Sequence, residues 1–162
     1  MFKNAFLSAA LIGGLSFSAP ATAQDMDPVS QATFDTAMAF MGAMGNGDME
    51  TMISLMDDEM VWLNGGDKTV PWIGPWKGQE EILEFLQTFS ANWQTTKWEN
   101  EDVFARGDTL AVFGQMNGKM AKSGADIGEF TFGLRVKVKD GKIVLWNWLE
   151  DTFAVSNAYH GR

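Results

Sequence analysis

The stretch Leu145-Trp146-Asn147-Trp148-Leu149-Glu150-Asp151 near the end of the chain carries residue types suited to chemistry. Strand alternation places Asn147 and Asp151 on one side and Trp146 and Trp148 on the other. A carboxylate beside an amide, among large apolar rings, is a setting in which an acid's pKa rises toward neutrality and a ligand is oriented. Asp151 is therefore the first candidate for a catalytic acid or base, and Asn147 for orienting a ligand. Asp151 is equally suited to capping the turn at Thr152-Phe153. Asp58 is the reserve carboxylate, and Asn64 is polar but cannot abstract a proton. Trp62, Trp72, Trp76 and Met41 are candidate walls of an apolar pocket, with Trp72 and Trp76 in a loop pinned by Pro71, Gly74 and Pro75.

Composition narrows the chemistry. The 162 residues hold 12 Lys+Arg against 21 Asp+Glu, a formal charge of −9, with no Cys and one His. Thiolate nucleophiles, disulfides and zinc sites built on Cys or His are excluded. The acidity argues against nucleic-acid partners, which require a basic surface. No cofactor and no metal site are expected, because no His pair exists and the acids lack the close spacing of a hard-cation loop. Seven of the 11 methionines fall between Met38 and Met60. They occupy apolar helical stripes, where Met serves as adaptable core or pocket filler more readily than as a soft-metal ligand. His160 stands near the C-terminal end with no nearby His or Glu and reads as part of a frayed tail. Arg135 alternates with an apolar strand face and reads as solvated, dimer-facing, or a clamp for a ligand carboxylate.

These residues need elements to hold them. Met1 to Ala23 has a positive start at Lys3, a short apolar run and an Ala21-Thr22-Ala23 site, so a signal peptide spanning 1–23 is expected, with a single domain over 24–162. The product is expected in the periplasm or secreted, with no membrane span. Asp27 and Pro28 open a first helix whose stripe is Phe34, Ala37, Met38, Met41 and Met44. Gly45-Asn46-Gly47 ends it, and Asp48 starts a shorter helix through Met56. A short strand at 60–63, an ordered loop at 70–78 and a third helix carrying Ile82, Phe85, Leu86 and Phe89 follow. Strands are expected over 97–105, 109–120, 128–138 and 142–151, with Asp140-Gly141 as a hairpin turn. Helices first and a strand meander last give an α+β domain.

Several pieces together resemble a known family. They are helix 27–45, Gly47-Asp48, Asp57-Asp58 leading into Val61-Trp62, Pro71-Trp72-Ile73-Gly74-Pro75-Trp76-Lys77-Gly78, and Asp140-Gly141-Lys142-Ile143 ending at Asp151-Thr152. Over residues 28–158 the chain resembles the SnoaL-like, ketosteroid-isomerase-like branch of the NTF2-like superfamily. That resemblance implies a cone-shaped curved antiparallel sheet packed by three N-terminal helices, with an apolar cavity. It also implies a homodimer through the outer sheet face. The sequence departs from the family's better-known machinery. The first helix offers Phe34, Met38, Phe40 and Met41 where isomerases of the family place a tyrosine, and Tyr159 is the chain's one tyrosine. Trp148 and the region from Gln115 to Gly118 lack partners for an Asp-Arg-Asp epoxide hydrolase, although Asp151 matches its terminal aspartate. Three function classes remain open: a carboxylate-dependent isomerase, cyclase or hydrolase acting on an apolar molecule, a non-catalytic binder of such a molecule, or an assembly module.

Overall fold

The computed structural model describes residues 26–162, and the expected leader lies outside them. Helix α1 spans Pro28–Asn46, with the Asp27 carboxylate accepting from the Val29 and Ser30 amides and Pro28 in the first turn. These contacts satisfy amide groups that a helix start leaves unpaired. Ser30 and Thr33 fix α1 to a distant turn: the Gly107 amide donates to Ser30 Oγ at 2.8 Å, and Thr33 Oγ1 donates to the Gly107 carbonyl at 2.8 Å. Helix α2 spans Met49–Leu55 and is capped by Asp48.

Strand β1 spans Met56–Asn64, longer than the four residues expected, and α3 spans Gly78–Asn92. Between them, a segment of the expected loop forms the short edge strand β2, Gly74–Lys77. Its Pro75 is tolerated because only one side of an edge strand is paired. Strands β3 (Trp93–Arg106), β4 (Thr109–Met120), β5 (Phe130–Lys139) and β6 (Lys142–Leu149) follow. The six strands form one sheet in the order β2-β1-β6-β5-β4-β3. All neighbours are antiparallel except β1 and β6, which run parallel and place Asn64 opposite Trp148.

The inner face of the sheet carries Leu110, Val112 and Met116 of β4, Phe132, Leu134 and Val136 of β5, and Trp146 and Trp148 of β6, all buried. Helices α1 and α3 close over it with Phe40, Met41, Ile82 and Phe85. The sheet is strongly bent. Trp98 on β3 and Trp148 on β6 are three strands apart, yet their rings stack at 5.3 Å. A flat sheet would separate those strands by about 14 Å. Gly114 on β4 permits the bend, because a Cβ there would lie 2.0 Å from the Glu99 carbonyl oxygen and 2.9 Å from the Phe132 ring.

A fourth helix, α4 (Thr152–His160), runs from the turn expected at Thr152-Phe153 to His160, which it holds in place of the frayed end expected there. Ser156 Oγ donates to Asp67 Oδ2 at 2.6 Å, and His160 Nε2 lies 2.9 Å from Thr69 Oγ1 and 3.4 Å from Asp67 Oδ2. Val155 is fully buried, and Tyr159 meets the edge of Trp72 at 5.5 Å. Short amphipathic helices gain most of their stability from such docking. No described helix is long and apolar enough to cross a membrane.

Candidate functional site: a carboxyl in an aromatic cage

The inner side of β6 is the tryptophan side. Trp146 and Trp148 are buried, whereas Asn147 is half-buried on the outer face, level with exposed Arg135 of β5. The strand ends at Leu149, and Asp151 is an exposed N-cap of α4, accepting from the Phe153 and Ala154 amides at 3.1 and 2.9 Å. Asn147 is thus kept from the interior by the pleat, the side shared with Leu145 and Leu149 being the convex one, and Asp151 by its place at the cap of α4. Asp58 is also exposed, and its carboxylate accepts from Gln79 Nε2 at 3.3 Å. The other candidates lie inside or at its edge. Met41 and Trp72 are fully buried, Trp62 and Asn64 nearly so, and Trp76 is half-buried against Phe85.

The carboxyl turned toward the tryptophan side is that of half-buried Glu150. It follows Trp148 by two positions, and Trp148 Nε1 donates to Glu150 Oε2 at 2.8 Å. Glu150 Oε1 is buried and has no hydrogen-bond partner. Burial raises the Glu150 pKa from its ordinary 4.5 to about 7; the Trp148 N–H acts in the opposite direction, and the neighbouring Asp151 charge adds to the rise. An indole N–H can only donate, so Oε2 is held as an acceptor and the proton resides on Oε1.

The rings beside Trp148 form an aromatic cage on the inner face of the sheet. Phe132 stacks on Trp148 at 4.8 Å, and Trp98 lies 4.6 Å from Phe132. Trp98 Nε1 donates to Asn100 Oδ1 at 2.8 Å, a two-residue step like that from Trp148 to Glu150. Trp62 to Asn64 at 3.0 Å and Trp93 to Thr95 at 3.0 Å repeat the pattern. A Trp-x-polar spacing therefore occurs four times, each indole satisfied by the next residue on its own strand face. This is the signal that would have located Glu150. Trp146 is followed two residues later by Trp148, and its Nε1 is buried without a partner, as is Trp72 Nε1. A second aromatic group joins Phe40, Trp146, Trp62 and Phe85 through ring contacts of 5.0, 5.2 and 4.7 Å.

Clefts of about 440 and 280 Å³ lie beside α4, the larger lined by Ile127, Phe153, Ala154 and Ala158 and the smaller by Met120 and Tyr159. Neither is lined by Glu150. Among the described residues, no group of three or more His, Asp or Glu side chains converges to hold a metal ion.

The SnoaL-like domain family matches residues 37–146, and the chain belongs to that family. Solved structures share the fold. An NTF2-like protein from Burkholderia xenovorans aligns with a TM-score of 0.74 at 22% identity, covering 80% of this chain and 97% of its own. A SnoaL-like polyketide cyclase from Jannaschia sp. CCS1 gives 0.69 at 16% identity, with 86% and 99% covered. An epoxide hydrolase of the LEH-like type from M. tuberculosis gives 0.63 at 17%, with 83% and 89% covered. A comparison with curated proteins gives no match.

Proposed function

We propose that this protein binds a flat, apolar small molecule in its aromatic interior and moves a proton on it through Glu150, as an isomerase, cyclase or hydrolase would. The carrying observation is the Glu150 carboxyl, with one oxygen held by Trp148 and the other buried and unpartnered. A pKa of about 7 leaves it close to half-protonated at neutral pH, so Oε1 can give a proton to a ligand atom or take one from it. The apolar rings lower the local dielectric and offer flat surfaces to stack on. Asp151 assists indirectly: it caps α4, and its negative charge raises the proton affinity of Glu150. The cyclase and the epoxide hydrolase with the same fold support the reaction classes by analogy alone.

The test starts with a screen of polycyclic ketones, phenols and epoxides for quenching of tryptophan fluorescence. Turnover of each binder by wild type and Glu150→Gln is then compared. The proposal expects the variant to bind within a factor of about three and to lose turnover by ~10²-fold or more. Equal turnover by both proteins would contradict it. Binding without turnover would favour the second reading, a non-catalytic binder.

Export and dimerisation belong to the same proposal. The leader-like segment 1–23 supports a periplasmic or secreted protein. A second copy is proposed to cover the convex face, where Phe113, Gly133 and Leu149 lie in one cross-strand row. Phe113 and Leu149 are 47% and 55% exposed, and their side chains close over buried Gly133 to form one apolar patch. Such a self-complementary patch suits a two-fold interface.

A further inference from the structure

We propose that Asn100 is the second polar contact of the cage, its Nδ2 donating to a carbonyl or ether oxygen of the flat ring compound that Glu150 faces. The location rests on the reading of Glu150 as the group at the site, while the Asn100 contact stands on its own geometry. Trp98 Nε1 donates to Asn100 Oδ1 at 2.8 Å. Because an indole nitrogen never accepts, that bond fixes the amide orientation and turns the NH₂ group away from Trp98. Nδ2 is buried and has no partner. A buried donor left unpaired carries its full desolvation penalty, and a ligand acceptor relieves it.

The register brings this donor to the level of Glu150. Asn100 is paired with Gly114, Gly114 with Phe132, and Glu150 lies one residue beyond the Gly133–Leu149 pair, level with Phe132. The bend that stacks Trp98 on Trp148 folds this row over on itself. Two orphaned polar atoms of different kinds therefore belong to residues of one cross-strand row, which runs from Asn100 through Gly114 and Phe132 to Glu150. Asn100 Nδ2 always donates, whereas Glu150 Oε1 donates when protonated and accepts when ionised. A bare hydrocarbon satisfies neither atom. A ring bearing an acceptor oxygen satisfies Asn100 and leaves its neighbouring atoms to Glu150.

The probes are 1-tetralone and tetralin, the same fused rings with and without a carbonyl, titrated by tryptophan fluorescence. Wild type is expected to bind tetralone on the order of tenfold more tightly than tetralin, the gain from pairing a buried orphan donor. Asn100→Asp keeps an acceptor for Trp98 and removes the donor, and Asn100→Leu removes both; each is expected to bind the two probes within twofold. Glu150→Gln is expected to keep the tetralone preference. The proposal is overturned if wild type shows no preference, as it would with a water bridging Asn100 and Glu150, if it binds neither probe at millimolar concentration, or if the preference survives both Asn100 variants. A Glu150 that titrates as an ordinary carboxylate, with the tetralone preference intact, would sink the acid–base reading and leave the Asn100 contact standing.

Discussion

Trp148 Nε1 and Glu150 Oε2 lie 2.8 Å apart on the inner side of the chain as it leaves β6, and this bond restrains an acid whose other oxygen has no partner. The bond favours the ionised carboxyl, and burial opposes it. Trp148→Phe keeps an aromatic ring and removes the donor. The Glu150 pKa is expected to rise further above 7, read by carbon-detected NMR of the side-chain carboxyl. A fall would mean that the indole N–H does not hold the carboxylate.

Stability should register the same group. Glu150 binds its proton more tightly folded, at about 7, than unfolded, near 4.5. Below pH 4.5 it is protonated in both states and costs nothing. Between 4.5 and 7 the folded state holds more protons, so unfolding free energy falls as pH rises. Above 7 the penalty is complete, at roughly 3 kcal/mol. Glu150→Gln is therefore expected to be more stable than wild type by about 2–3 kcal/mol at pH 8 and equal to it at pH 4, by urea denaturation.

Asp67 behaves in the opposite sense. Hydroxyl donors from Ser156 and Thr69, then the Thr69 amide, hold its carboxyl well below the ordinary value. Its contribution is present above the unfolded value of 3.8 and is lost as pH falls toward the folded one. Asp67→Asn should release α4 first: amide exchange over 152–160 is expected to accelerate at least tenfold at pH 7, while exchange in β4 and β5 stays unchanged. Uniform acceleration would show that α4 is not a separable element.

On the convex face, Leu149→Lys is expected to convert a dimer to a monomer at micromolar concentration, measured by sedimentation equilibrium, with tryptophan fluorescence unchanged. Wild type that is already monomeric would remove the proposed interface.

Much of the fold was legible in the sequence. The Asp27-Pro28 cap, the α1 stripe through Met41, the break at Gly47 and the Asp140-Gly141 hairpin all rest on local chemistry, and the structure realises each of them. The edge strand β2 was hidden because Pro75 and Gly74 read as loop, and α4 because nine residues give little periodicity and its docking partners lie in residues 67–72. The site was half legible. Period-2 alternation separates Asn147 and Asp151 from Trp146 and Trp148, but Leu145 and Leu149 make the first side apolar too. Which side is concave depends on the bend across β3 to β6, a tertiary property that no single strand encodes. The repeated Trp-x-polar spacing was the available clue, since a buried indole must place its N–H somewhere.

Glu150 is proposed to be a half-buried acid that titrates near neutrality. Its direct test is a pH titration of the glutamate side-chain carboxyl resonances in wild type and Glu150→Gln. Wild type is expected to show one glutamate resonance with a midpoint near 7 that is absent from the variant. A wild-type protein in which no glutamate resonance has a midpoint near 7 would contradict this assignment.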